Sequence, residues 1–171
     1  MKDRVAIALI GSGYGGCLHA AGYRNVPGVG VRLKYIVDID LDKAKAFAQA
    51  HGIERATSDL DRALKDPEVD IIDIVTPPAS HAELVMLAAK ASKSVVCEKP
   101  LTGYFGQAGD RQPVGRVAKK KMYAAVLKDL EALEAAVKAN GTKFMYAENY
   151  VYSPNVQKTA EIITRKKSKI L

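Results

Sequence analysis

Cysteine is scarce. Only Cys17 and Cys97 occur in the 171 residues, and their separation fits neither a metal site nor a redox pair. Both read as small apolar residues of a chain kept in a reducing cytoplasm, and no metal centre is expected. Long apolar runs are missing too: none approaches the ~20 residues needed to cross a bilayer. The first, Val5 to Ile10, stops at a glycine turn, so it is neither a span nor a signal peptide. Acidic residues are absent from 111–128, which carries Arg111, Arg116, Lys119, Lys120, Lys121 and Lys128. They are thin in 158–169, where Glu161 stands alone against Lys158, Arg165, Lys166, Lys167 and Lys169. The formal charge of +7 sits in these two stretches, and the remainder is slightly acidic. With aromatics at 6% and no groove-entering element, the basic tracts read as solvated surface and not as a nucleic-acid interface.

What is present is ordinary for one folded domain: 48% apolar and 26% charged residues, too apolar for disorder. Short β-branched runs alternate with helical segments. The strands are expected at Val5–Ile10, Val31–Val37, Asp70–Val75, Ser94–Cys97 and Lys143–Ala147, with a weak piece at Arg55–Ala56. They are nearly all apolar, as parallel strands covered on both faces must be. Helices are expected at Tyr14–Asn25, Leu41–Ala50, Ser58–Lys65, Ala79–Ala91, Met122–Ala139 and about Pro154–Arg165. In the fifth, Met122, Val126, Leu130, Leu133 and Val137 form one apolar stripe. This alternation implies right-handed crossovers and an α/β, doubly wound parallel sheet. Residues 102–121, rich in glycine and without a clear period, read as an inserted loop over one edge.

Gly11-Ser12-Gly13-Tyr14-Gly15-Gly16 satisfies G-x-G-x-x-G through Gly11, Gly13 and Gly16, directly after a strand and opening a helix. Gly11 permits the tight turn, Gly13 removes the Cβ that would block a diphosphate, and Gly16 lets helix and strand approach. Residues 11–16, with Ser12 and Tyr14 between the glycines, then offer backbone N–H donors at a helix N-terminus. Asp38 closes the second strand, where a carboxylate accepts from both hydroxyls of an adenosine ribose. A 2′-phosphate there would meet like charge from Asp38 and Asp40, so NAD(H) is preferred over NADP(H). An adenosylmethionine methyltransferase also pairs a glycine turn with a ribose-binding acid, but the strand ends further along argue against it.

Those strand ends are Val75-Thr76-Pro77-Pro78 with His81 following, and Val95-Val96-Cys97-Glu98-Lys99-Pro100. Joined to the glycine turn, they resemble the glucose–fructose oxidoreductase/inositol dehydrogenase/MocA (Gfo/Idh/MocA) family over residues 4 to about 101. The likeness resumes at 122–165, where Asn149 and Pro154 resemble the family's Asn-x-Arg-Phe-x-Pro stretch, with Val151 and Tyr152 in place of Arg-Phe. The resemblance implies a Rossmann domain of strand order 3-2-1-4-5-6 over residues 1–150. It places Thr76 and Pro77 beside the nicotinamide, with a free Thr76 hydroxyl on a rigid, proline-braced exit. His81 is either a cofactor contact or a helix-start residue bonding local backbone. His19 reads as packing and His51 as surface.

Lys99 is the residue the resemblance marks for chemistry: it would assist proton transfer from a substrate hydroxyl, with partial burial lowering its pKa. Glu98 would orient it or bond the cofactor ribose, and Asn149 would contribute at the same site. Gly103–Gly106 would form a flap near the nicotinamide. The family also implies a second α/β domain carrying substrate contacts and the homo-oligomer interface. Residues 151–171 are expected to be a connecting helix and the start of that domain, whose body lies beyond this sequence. An NAD-dependent dehydrogenase of a sugar, polyol or related secondary alcohol is therefore expected, inactive as this length of chain. A noncatalytic NAD-dependent sensor is the competing reading.

Overall fold

The computed structural model describes residues 3–166. Six parallel strands form one sheet: β1 (Arg4–Ile10), β2 (Gly30–Val37), β3 (Arg55–Thr57), β4 (Ile71–Ile74), β5 (Ser94–Glu98) and β6 (Phe144–Ala147). Their spatial order is β3-β2-β1-β4-β5-β6, the order the family resemblance implies for the doubly wound sheet expected from the alternating pattern. The weak Arg55–Ala56 piece is a true edge strand, paired to Tyr35–Val37. Its shortness blunts an exposed edge.

The helices are α1 (Tyr14–Tyr23), α2 (Leu41–His51), α3 (Leu60–Leu64), α4 (His81–Lys90), α5 (Lys119–Ala139) and α6 (Pro154–Lys166). Alternating strand residues feed two cores. Ala8, Ile10, Tyr35, Val37, Ile72 and Ile74 pack against α3, α4 and α5 through Leu64, Val85, Ala88 and Leu133. Leu9, Ile36 and Val75 pack on the other face against Ala20 of α1 and Ala44 and Phe47 of α2. Both faces being covered explains why the strands read as continuous apolar runs.

Several boundaries differ from the sequence reading. α3 begins at Leu60, not Ser58, because the Asp59 carboxylate accepts from Asp61 N–H and caps it. α1 ends at Tyr23 and α4 begins at His81, after a 3-10 turn over Pro78–Ser80. α5 starts three residues earlier than Met122; its stripe does face the core, although Leu133 alone is fully buried. The stretch before it, expected as a loose insertion to residue 121, therefore ends where α5 begins. Asp110, with its side chain 3% exposed, ties that stretch down by accepting from Tyr104 Oη, Gln107 N–H at 2.7 Å and Lys121 Nζ at 2.5 Å. α6 buries no residue, and Val151, Tyr152, Val156 and Ile162 are exposed. Lys167, Lys169 and the end of the 151–171 segment lie outside the described residues. No helix among the described residues is long and apolar enough to cross a membrane.

Candidate cofactor site

Parallel strands all present their carboxyl ends to one edge, and the crevice there opens between β1 and β4, where the chain order reverses. It encloses about 1190 Å³, lined by residues 10–13, 37–40 and 75–77 among others. Gly11 leaves β1 with φ +107°, a conformation costly for a residue with a Cβ, and its N–H donates to Val37 O at 2.8 Å. A Cβ on Gly13 would meet nothing within 4 Å, so the backbone there stands open to the crevice. A Cβ on Gly16 would come within 2.6 Å of Gly11 O, so only glycine lets α1 sit this close to the turn. No side chain caps α1. Its first-turn N–H groups are left for a ligand, and the positive end of the helix dipole favours an anion.

Asp38 is half-buried at the crevice mouth and strongly bonded. Its Oδ2 accepts from Ser12 N–H at 2.9 Å and Ser12 Oγ at 2.5 Å, and its Oδ1 from Asp40 N–H at 3.0 Å. Burial works to raise its pKa. The Ser12 hydroxyl, the two backbone N–H groups and the Lys43 charge outweigh that and hold it below the ordinary carboxylate range. The glycine turn and the acid are thus one bonded unit. The residues fit a dinucleotide: an open N–H cradle for the diphosphate, and beside it a fixed anion for ribose hydroxyls.

At the other half of the crevice the reading needs correcting. The Thr76 hydroxyl is not free, since it shares a 2.7 Å hydrogen bond with Ser80 Oγ, which donates to Pro77 O at 2.9 Å. His81 is fully buried, with Nδ1 2.8 Å from Pro100 O and Nε2 2.7 Å from Thr76 O. Both ring nitrogens are therefore engaged by backbone. The side chain ties the exit of β4 to the exit of β5 and does not line the crevice. Pro77 does line it. Tyr14, the first residue of α1, is exposed and is not among the lining residues.

Glu98 and Lys99 leave β5 at the same sheet edge. Glu98 Oε2 accepts from Lys99 N–H at 2.8 Å, while the Lys99 side chain is exposed and not partly buried. Asn149 is also exposed, in a 3-10 turn after β6; Ala147 of β6 registers with Glu98, so Asn149 emerges beside the β5 exit. Sequence reasoning passed over Ile39, Lys43, Ser58, Leu60 and Leu84, which the fold brings to the crevice. No motif marks them, because they come from separate loops and helices. It also took His19 for packing, whereas His19 contacts Asp73 and Glu98.

Residues 5–126 match the model of the oxidoreductase family with an NAD-binding Rossmann fold, Gfo/Idh/MocA. D-apiose dehydrogenase of Paraburkholderia graminis is 31% identical over 150 residues, covering 88% of this chain and 34% of that protein. scyllo-Inositol 2-dehydrogenase (NAD(+)) of Bacillus subtilis is 35% identical over 103 residues, covering 60% of this chain and 30% of that one. Among solved structures, levoglucosan dehydrogenase in complex with NADH and L-sorbose superposes with a TM-score of 0.77 at 27% identity, over 95% of this chain and 39% of that one. The chain thus spans about a third of the length of the curated relatives it matches. An uncapped glycine turn bonded to an acid, in a sheet of order 3-2-1-4-5-6, agrees with that match: the chain belongs to the Gfo/Idh/MocA oxidoreductase family and comprises its NAD-binding Rossmann domain.

Proposed function

We propose that the chain binds NAD(H) in preference to NADP(H) and forms the cofactor half of an oxidoreductase acting on a secondary alcohol of a sugar, polyol or related metabolite. The observation that carries the cofactor preference is Asp38. Three hydrogen bonds fix its carboxylate as an anion at the crevice mouth. Ribose hydroxyls can donate to it, whereas a 2′-phosphate would be repelled. Titration of the chain with NADH and NADPH should give at least a tenfold difference, about 1.4 kcal/mol, in favour of NADH. Equal affinities would overturn the preference, and binding of adenosylmethionine in place of either would overturn the dehydrogenase reading.

The substrate class rests on relatives named for D-apiose, scyllo-inositol and levoglucosan. Bound NAD would supply hydride acceptance; the chain's own part is to hold a proton acceptor nearby. Lys99 is the candidate, placed with Asn149 at the exits of β5 and β6. Its exposure means that further protein surface or bound ligands must bury it before its amine becomes an effective base. This supports a chain that binds cofactor but turns substrate over negligibly by itself. In a form that does turn over, Lys99→Ala should lower kcat and leave NADH affinity unchanged; equal loss of both would remove Lys99 from the chemistry.

A further inference from the structure

Asp73 has no solvent exposure, on the face of β4 that looks toward α1. A carboxylate buried in a sheet is costly unless its charge is matched. Its Oδ2 accepts from Tyr23 Oη at 2.8 Å and lies 2.8 Å from His19 Nδ1, while its Oδ1 has no hydrogen-bond partner. The other ring nitrogen of His19, Nε2, lies 3.4 Å from Glu98 Oε1. Glu98 uses its second oxygen to hold Lys99 N–H. One chain of contacts therefore runs from the interior of β4, through a histidine on α1, to the backbone of Lys99.

A neutral imidazole has one N–H and could donate to only one of the two carboxylates; the other nitrogen would turn a lone pair toward an anion. With both nitrogens protonated, the ring donates to both and supplies the charge that Asp73 needs. We propose that His19 is a positioning residue, an imidazolium strut that spans Asp73 and Glu98 and so fixes the Glu98–Lys99 exit of β5. On the opposite face of the sheet, His81 holds the carbonyl of Pro100, so Lys99 sits between two histidine anchors.

The groups facing His19 are Tyr23 from its own helix, Asp73 from β4 and Glu98 from β5. Burial disfavours the charged ring, but the hydrogen bond and charge of Asp73, followed by those of Glu98, outweigh it and raise its pKa above the ordinary 6.5. The strut is in place at and below that value and opens as pH rises through the raised one. The meaning of the strut for catalysis rests on the role proposed for Lys99; the strut itself needs no cofactor.

The test is nuclear magnetic resonance of the full chain, following the His19 ring nitrogens and the Lys99 amide against pH. The His19 midpoint should lie above that of an unperturbed histidine side chain, and the Lys99 amide should shift with the same midpoint. Glu98→Gln, at a partly exposed position, should lower the His19 midpoint; His19→Gln should abolish the pH-dependent shift of the Lys99 amide. A Lys99 amide indifferent to His19 titration in the unsubstituted chain, or a His19 midpoint at or below that of an unperturbed histidine side chain, overturns the proposal. NADH titration in parallel separates the two readings. Coupling without NADH binding leaves the strut standing and removes the cofactor reading; NADH binding without coupling does the reverse.

Discussion

Gly16 shows how little room the cofactor turn leaves. A methyl group there would lie 2.6 Å from the Gly11 carbonyl, a backbone atom that cannot rotate away. Gly16→Ala should cost about 1–3 kcal/mol by overpacking and should weaken NADH binding, because α1 must move off the turn. Thermal unfolding and an NADH titration on one sample check both effects. The two thiols differ for a physical reason as well. Burial, then the charges of Asp73 and Glu98, push the Cys97 thiol up to about 12, while Cys17 is only partly covered. A thiol reagent at neutral pH should label Cys17 alone in the folded chain and both residues after denaturation. Rapid labelling of Cys97 in the native state would contradict the packing around β5.

Elements depend on short local devices. Asp59 caps α3 through a 3.0 Å bond to Asp61 N–H. Asp59→Ala should therefore cost about 1 kcal/mol, which denaturant unfolding would measure. The stretch before α5 is held by Asp110 rather than by a packed core. The hydrogen bonds it accepts from Lys121 and then from Tyr104 lower its pKa to about 2. A lowered pKa contributes stability above the ordinary 3.8 that is lost as pH falls toward about 2. Limited proteolysis within residues 102–118 should accordingly stay slow at neutral pH in the intact chain and become fast in Asp110→Ala. Equal rates would show that the Asp110 contacts do not hold the stretch. The glycines there made a flap a natural expectation; the bonds to Asp110 describe an anchored segment.

The molecule as a whole joins groups whose charge preferences oppose one another. Asp66 is pulled two ways: burial raises it, and Lys34, Glu68 N–H and the Tyr35 hydroxyl together bring it to about 2. Its stabilising contribution, like that of Asp38, is present above the ordinary 3.8 and lost on acidification. His19 has the opposite sign. Its contribution is complete below 6.5 and lost as pH rises through its raised folded value. Unfolding free energy against pH should therefore fall on both sides of a plateau, and His19→Gln should flatten only the alkaline side. The exposed apolar residues of the 149–166 region have their own consequence. Val156→Ser with Ile162→Ser should reduce any concentration-dependent association seen by sedimentation, with the cofactor crevice untouched.

The family resemblance implied the order of the sheet; sequence alone determined the alternation of strands and helices and the turn–helix–acid unit at Gly11–Gly16 and Asp38. Each depends on periodicity or on a spacing that local backbone rules make readable. Tertiary structure decided what the histidines do. His81 reads either as a cofactor contact or as a helix-start residue bonding local backbone, and His19 as packing, because the chain around them does not name their distant partners. Those partners are Thr76 and Pro100 for one, Asp73 and Glu98 for the other, brought together only when parallel strands align their carboxyl ends and α1 lies across them. Side-chain direction and burial are set by that assembly, and a one-dimensional pattern does not contain them.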